Sequence, residues 1–344
     1  MSVAYRPVGW TRFKLLYDAV LVAGVLLYLL IYTRLGPHVS AAPLGRDGPT
    51  TTMDAFGTCA FILLSVALCI GPLARIDRRF LPLLYNRRHL GVLTAIVATG
   101  HAQAVLGWYF AYSRIPPLQA LLTADTGSGL LHGTPFIPFG IVALLVLWLL
   151  AATSHDFWLA FLTPPVWKAL HLAVYAAYAC LVLHLGLGAL QDAGSPALAA
   201  LTMLSLAAVC GLHLAAGLLE RHDAAVAPLN GWIVAAQLTD LDDGRAIIVP
   251  VAPGRSAALF RHDGKLAAIA NECAHQNGPL GEGRIVDGCV VCPWHGYQYR
   301  LEDGCSPAPF TEKVATYRLA LDRGVVMLDP EPMPPGTHVE PITL

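Results

Sequence analysis

Charge is scarce in this chain. Only 13% of its 344 residues are Asp, Glu, Lys or Arg, while 56% are apolar, and the 22 basic and 23 acidic residues nearly cancel. That balance gives no sign of nucleic-acid binding. It also excludes one ordinary soluble fold, in which about a quarter of residues are charged. No Gly-x-Gly-x-x-Gly opens a strand-to-helix unit in the second half, so no nucleotide-binding domain is expected there. Cysteine is sparse too, and most of the eight, including Cys289 and Cys305, are read as free thiols.

What the chain has instead is long apolar runs, confined to its first 220 or so residues. They lie near Phe13 to Leu35, Met53 to Ala74, His89 to Ser113, Thr134 to Ser154, Val166 to Leu190 and Pro196 to Leu219. Each reaches about 20 residues, enough to cross a bilayer. The expected fold is a six-helix, all-α membrane bundle over residues 1–226. The first run follows Arg6, Arg12 and Lys14 and precedes Val39-Ser40-Ala41, a small-residue triplet, but it is too long for the apolar core of a signal peptide. Arg6, Arg12, Lys14, Arg75, Arg78, Arg79, Arg87, Arg88, Lys168 and Arg221 fall on one set of alternating loops, against Arg34, Arg46 and Arg114 on the other. The asymmetry places both termini in the cytoplasm of a multi-pass protein, expected in a bacterial inner membrane.

The second half carries Cys273-Ala-His275 and Cys292-Pro-Trp-His295. Two soft anionic sulfurs for one iron and two neutral imidazoles for the other make the ligand set of a Rieske [2Fe-2S] centre. Zinc is the rival, but its Cys/His sites usually pair like with like, whereas each half here offers one Cys and one His. The flanks, CAHQNGPLGEG and CPWHGYQYRLEDG, resemble the cluster loops of Rieske ferredoxins and Rieske-type dioxygenase components. The resemblance implies a small all-β domain over residues 227–330 with Cys273, His275, Cys292 and His295 as metal ligands. Asp243-Gly244, Asp263-Gly264, Asp287-Gly288 and Arg323-Gly324 punctuate short aliphatic runs and read as hairpin turns. Residues 331–344, with four prolines, read as an irregular tail.

Quinol-oxidising Rieske proteins differ in carrying an extra disulfide between the loops. Here those positions are Gly278 and Trp294. Tyr297 stands where high-potential members often have a serine donating to a cluster sulfur. Fewer such bonds imply the low end of the Rieske range, about −150 mV.

Ionisable groups at membrane depth are costly and usually functional. His101 lies mid-span in the third run, and His171 and His184 lie thirteen residues apart in the fifth, about 20 Å along a helix axis. The segments RRHLGVLTAIVATGHAQAVLGW and WKALHLAVYAAYACLVLHL resemble helices of the ferric-reductase-like transmembrane family. That family includes NADPH oxidases, metalloreductases and the heme subunit serving periplasmic methionine sulfoxide reductase. The resemblance implies His101, His171 and His184 as heme-iron ligands, with heme b as cofactor. Two-heme members carry a second histidine on the third helix, but position 87 here is arginine and positions 114 and 115 are Arg-Ile. One heme or two is left open, with His213 a further possible partner and His89 rotated away. His132 and His155 read as loop residues.

The flavin and nicotinamide domain that ferric reductases append at this place is replaced by the Rieske segment. The expected function is therefore a membrane oxidoreductase passing electrons from a cytoplasmic reductase or ferredoxin-like donor through the cluster and heme to an extracytoplasmic acceptor or quinone. The alternatives are a heme-free, membrane-anchored Rieske carrier or sensor, and quinol-linked electron transfer. A Rieske oxygenase would need a mononuclear iron domain, for which the roughly fifty residues after the second loop are too few. Membrane lipid is an expected partner.

Overall fold

The computed structural model describes residues 12–39, 48–80, 83, 86–124, 131, 133–154, 158, 162, 164–192, 196–223, 231–252, 254–275, 277–293, 296–308 and 310–344. Of the residues singled out above, Arg6, Ser40, Ala41, Arg46, His132, His155, Trp294 and His295 lie outside them. The chain divides into a helical unit, Trp10–Ala216, and a second unit that includes Gly217–Leu344.

The helical unit contains α1 (Arg12–Val39), α2 (Gly48–Ile76), α3 (Arg87–Tyr112), α4 (Pro117–Thr123), α5 (Ile137–Ala152), α6 (Pro164–His171), α7 (Ala173–Leu187), α8 (Ala189–Asp192) and α9 (Pro196–Asp223), the last running past the unit boundary. Among the described residues five stretches are long and apolar enough to cross a membrane, and the fourth expected span, α5, is shorter at 16 residues. At 1.5 Å per residue α5 is about 24 Å long, short of a typical hydrocarbon core of about 30 Å. Pro138 in its first turn sets where it starts. The fifth span is built from α6 and α7, joined at Leu172, whose amide reaches the Ala169 carbonyl in a tightened turn. His171 thus ends one helix and His184 sits near the end of the next.

Helices α2 and α3 pack together, as do α5 and α7, around Phe61, Leu64, Leu68, Ala95, Leu147, Tyr178 and Val209. The outward faces stay apolar. Leu26 on α1 is 61% exposed and Leu204 on α9 70%, a surface that lipid accepts and water does not.

The second unit holds eleven strands among its described residues: β1 (Ile233–Gln237), β2 (Ala246–Ala252), β3 (Arg255–His262), β4 (Lys265–Ala270), β5 (Arg284–Val286), β6 (Cys289–Val291), β7 (Gln298–Arg300), β8 (Thr316–Tyr317), β9 (Leu319–Asp322), β10 (Val325–Leu328) and β11 (Ile342–Thr343). They form three antiparallel sheets, ordered β1-β10-β9, β11-β4-β3-β2 with β8 on β4, and β5-β6-β7. Three of the four expected turns close hairpins. Asp263, Asp287 and Arg323 have φ of 48°, 51° and 47°, each followed by a left-handed glycine, so β3–β4, β5–β6 and β9–β10 are joined by two-residue loops. Asp243-Gly244 does not close one, because it leads from a 3-10 turn into β2.

The tail differs from expectation at its end. Residues 331–341 are irregular, but the amides of Met333, Gly336 and Val339 donate to the carbonyls of Thr316, Val314 and Glu302, and Ile342–Thr343 pairs with β4. Its prolines prevent a continuous ladder, while the amides between them still find partners.

Candidate cofactor sites

Cys273 follows β4 and Cys292 follows β6, and their loops close in the same way. The Cys273 amide donates to Gly278 O at 2.9 Å and the Asn277 amide to Cys273 O at 2.7 Å; the Cys292 amide donates to Tyr297 O at 2.7 Å and the Gly296 amide to Cys292 O at 3.0 Å. The fifth residue of each loop is left-handed, with φ of 58° at Asn277 and 76° at Gly296. Glycine and asparagine reach that region most cheaply. Two unlike sequences therefore make one loop shape. Asn271 pins the first loop, its Oδ1 accepting from the Gly281 amide at 2.8 Å and its Nδ2 donating to Ser256 Oγ at 3.0 Å.

Both thiols are buried, with Cys273 at 1% and Cys292 at 2% exposure, in a core with Phe260, Leu280, Val290 and Tyr299. Thiols this deep ionise readily only if a metal takes the charge, which is the chemistry of a cluster ligand. His275 is buried too and stacks on Tyr297 with ring centroids 4.1 Å apart and planes 14° apart, and Tyr297 leans on Phe310. These residues fit the sulfur side of a [2Fe-2S] centre and one imidazole of the other. The fourth expected ligand, His295, lies outside the described residues.

Sequence reasoning missed Tyr299, whose hydroxyl lies 3.3 Å from Cys273 Sγ. Strand alternation held the signal, since Tyr299 is the inward residue of β7. Burial and the neighbouring Cys273 push its phenol above the ordinary value, and beside a metal-bound thiolate, which only accepts, its hydroxyl would be the donor.

In the helical unit, His101 on α3 and His184 on α7 face each other, with ring centroids 6.4 Å apart and planes at 81°. His101 Nδ1 donates to the Met53 carbonyl at 2.9 Å, and His184 Nδ1 to the Phe136 carbonyl at 3.0 Å. A carbonyl only accepts, so in each ring Nδ1 carries the proton and Nε2 keeps the lone pair. A metal bonded to both rings at about 2.0–2.1 Å puts their centres about 6 Å apart, so the spacing suits one shared metal ion.

His171 is held in the same tautomer, its Nδ1 donating to Trp167 O at 3.0 Å and its Nε2 buried. Among the described residues its ring meets Trp167, stacked at 3.7 Å, and no second imidazole. The Arg88 guanidinium lies over the same indole at 5.1 Å. Two further histidines of the helical unit, the possible partner His213 and the rotated His89, are committed elsewhere. His213 donates from Nδ1 to Val209 O and accepts at Nε2 from the Tyr175 hydroxyl, both at 2.8 Å. His89 Nδ1 is 2.7 Å from the Asp18 carboxylate on α1.

Residues 231–318 match the Rieske [2Fe-2S] domain family, and residues 56–182 match the ferric reductase like transmembrane component. Over 107 residues, 30% of this chain and 97% of the relative, the chain is 33% identical to the 3-phenylpropionate/cinnamic acid dioxygenase ferredoxin subunit of Shigella flexneri serotype 5b (strain 8401). This chain belongs to the Rieske [2Fe-2S] family and joins that domain to a ferric-reductase-like transmembrane component. It is also 37% identical over 59 residues to chlorophyllide a oxygenase, chloroplastic, of Chlamydomonas reinhardtii, spanning 9% of that protein. Among solved structures, the complex of reduced oxygenase and oxidized ferredoxin in carbazole 1,9a-dioxygenase is similar at 21% identity, with a TM-score of 0.29 over 30% of this chain and 98% of that one. The fusion is a membrane redox protein with an iron-sulfur electron carrier.

Proposed function

We propose that this protein relays electrons from a cytoplasmic donor through its Rieske cluster and one b-type heme to an acceptor on the far side of the membrane. The observation that carries this reading is the facing pair His101 and His184, with Nδ1 of each committed to a carbonyl and Nε2 left to ligate. Residues 1–226 would be the heme-bearing part and residues 227–330 the cluster part, with 331–344 completing the latter. Both termini would be cytoplasmic, in a bacterial inner membrane.

Cys273, His275, Cys292 and His295 would hold the cluster. His101 and His184 would hold the heme iron. His171 lacks a facing imidazole among the described residues, and is retained as a heme-iron ligand only if the heme-to-cluster ratio exceeds one. Bound there, the cluster and the heme each supply one-electron exchange without bond chemistry on the protein. The chain's own work is to place and insulate them. Burial around Cys273 and Cys292 keeps water from the sulfurs, Tyr299 donates to one of them, and the Met53 and Phe136 carbonyls fix the imidazole tautomers.

The test is an optical and low-temperature EPR spectrum of detergent-purified protein, oxidised and dithionite-reduced, with heme measured as pyridine hemochrome. Reduced b-type bands beside a Rieske signal are expected. A Rieske signal with no heme would reduce the helical unit to an anchor and overturn the relay.

A further inference from the structure

The two histidine seats are copies of each other. The hydrogen bonds from His101 to Met53 and from His184 to Phe136 each span 48 residues. One and the same offset maps Met53, Phe56, Gly57 and His101 onto Phe136, Phe139, Gly140 and His184. It also maps the buried residues Ala60, Leu64, Thr94 and Ala95 onto the buried residues Ala143, Leu147, Ala177 and Tyr178. The pair α2–α3 and the pair α5–α7 are thus one structural unit used twice, which brings two equivalent imidazoles together.

In each copy the ring lies against a glycine four residues beyond the carbonyl that holds it. A methyl group on Gly57 would sit 3.0 Å from both Cε1 and Nδ1 of His101. One on Gly140 would sit 2.9 Å from Nδ1 and 3.0 Å from Cε1 of His184. Both distances are inside normal contact. Glycine costs a helix interior about 1 kcal/mol relative to alanine, so its presence at both seats needs a reason. Gly91 and Gly107 on α3 and Gly186 on α7 have open space where a Cβ would go, and two other crowded glycines, Gly100 and Gly188, meet Phe56 and Phe136 rather than an imidazole ring.

We propose that Gly57 and Gly140, with the carbonyls of Met53 and Phe136, are positioning residues that hold the imidazoles of His101 and His184 crosswise on a shared heme iron. The proposal rests on the heme reading above. Each ring is positioned twice, since the Nδ1 hydrogen bond fixes its azimuth and the missing side chain of the glycine leaves the space the ring occupies. The outcome is the 81° angle between the planes. Crossed axial planes bring two iron d orbitals close in energy and give a strongly anisotropic low-spin ferric EPR signal, whereas parallel planes give a rhombic one. The same offset pairs His171 with Arg88, so the duplication supplies an imidazole pair at one level only.

The test compares full-length wild type with Gly57→Ala and Gly140→Ala, and with Gly91→Ala and Gly186→Ala as controls of equal helix propensity. Ferric EPR, heme-to-cluster ratio and heme midpoint potential are read on each. Wild type should show the strongly anisotropic signal. Each seat variant should move the low-field feature toward smaller g or lose heme, while the controls match wild type. Seat variants that behave like the controls overturn the proposal, as does a rhombic wild-type signal. If the seat variants do not accumulate, the wild-type signal alone still decides. His101→Ala and His184→Ala are measured alongside, and heme retained in both would mean that the heme reading itself has failed, whatever the glycines do.

Discussion

Replacing Tyr299 by phenylalanine tests how this protein sets the potential of its cluster. The hydroxyl lies 3.3 Å from Cys273 Sγ, and both residues are buried, so water cannot replace it. Phenylalanine keeps the ring and its packing. A hydrogen bond to a charged group is worth about 1.5–3 kcal/mol. The reduced cluster carries one more negative charge than the oxidised one, so the bond is stronger in the reduced state. Taking the difference as about 1 kcal/mol, and about 59 mV per tenfold change for one electron, Tyr299→Phe should lower the cluster potential by about 40 mV. An EPR-monitored redox titration measures this directly, with the heme potential in the same sample as internal control. An unchanged or raised cluster potential would refute the reasoning. The sequence expectation of a potential near the bottom of the Rieske range rested on Tyr297 offering no serine-like donor, and Tyr299 supplies the donor that expectation lacked.

Other outcomes follow from the same geometry. His184→Ala should lose heme absorbance and keep the Rieske signal, whereas His213→Ala should keep both, because both nitrogens of His213 are already committed; equal heme loss in the two variants would sink the distinction. The heme-to-cluster ratio should be one, and His171→Ala should leave it unchanged; a ratio of two would give His171 a ligand role. Burial acts to raise the pKa of the Asp303 carboxyl, but hydrogen bonds from Arg300 and the Cys305 amide outweigh it and hold the group below the usual carboxylate range. A depressed folded pKa stabilises above the unfolded value near about 4 and is lost as pH falls through the folded one. Asp303→Asn should therefore cost the cluster-bearing unit about 1 kcal/mol at neutral pH, after discounting a half-exposed ion pair, and the gap from wild type should close in acid. A gap that stays constant into acid would contradict the linkage.

Much of the architecture was legible because its signals are local. Six apolar runs, three of four turn dipeptides and two short Cys/His motifs are each read within a few residues. The fourth turn, Asp243-Gly244, failed because the same dipeptide also suits a loop between strands that do not pair. The two residues of β11 escaped because prolines dominate that stretch, while pairing depends on an edge offered by β4. His213 carried the same sequence signal as the other membrane histidines, whereas His89 was set apart by helical phase. Their hydroxyl and carboxylate partners, Tyr175 and Asp18, come from other helices.

By itself, the sequence determined the class of the protein and the chemistry of its donors: apolar spans, two thiols and two imidazoles in cluster-loop context, and imidazoles at membrane depth. Residue type and short-range spacing suffice for that. Only the tertiary structure decided which histidines meet, that each ring rests on a glycine with its proton on a carbonyl, and that a tyrosine hydroxyl reaches Cys273. These contacts join residues far apart in the chain, and packing between elements, with no local pattern to announce it, sets their distances and angles.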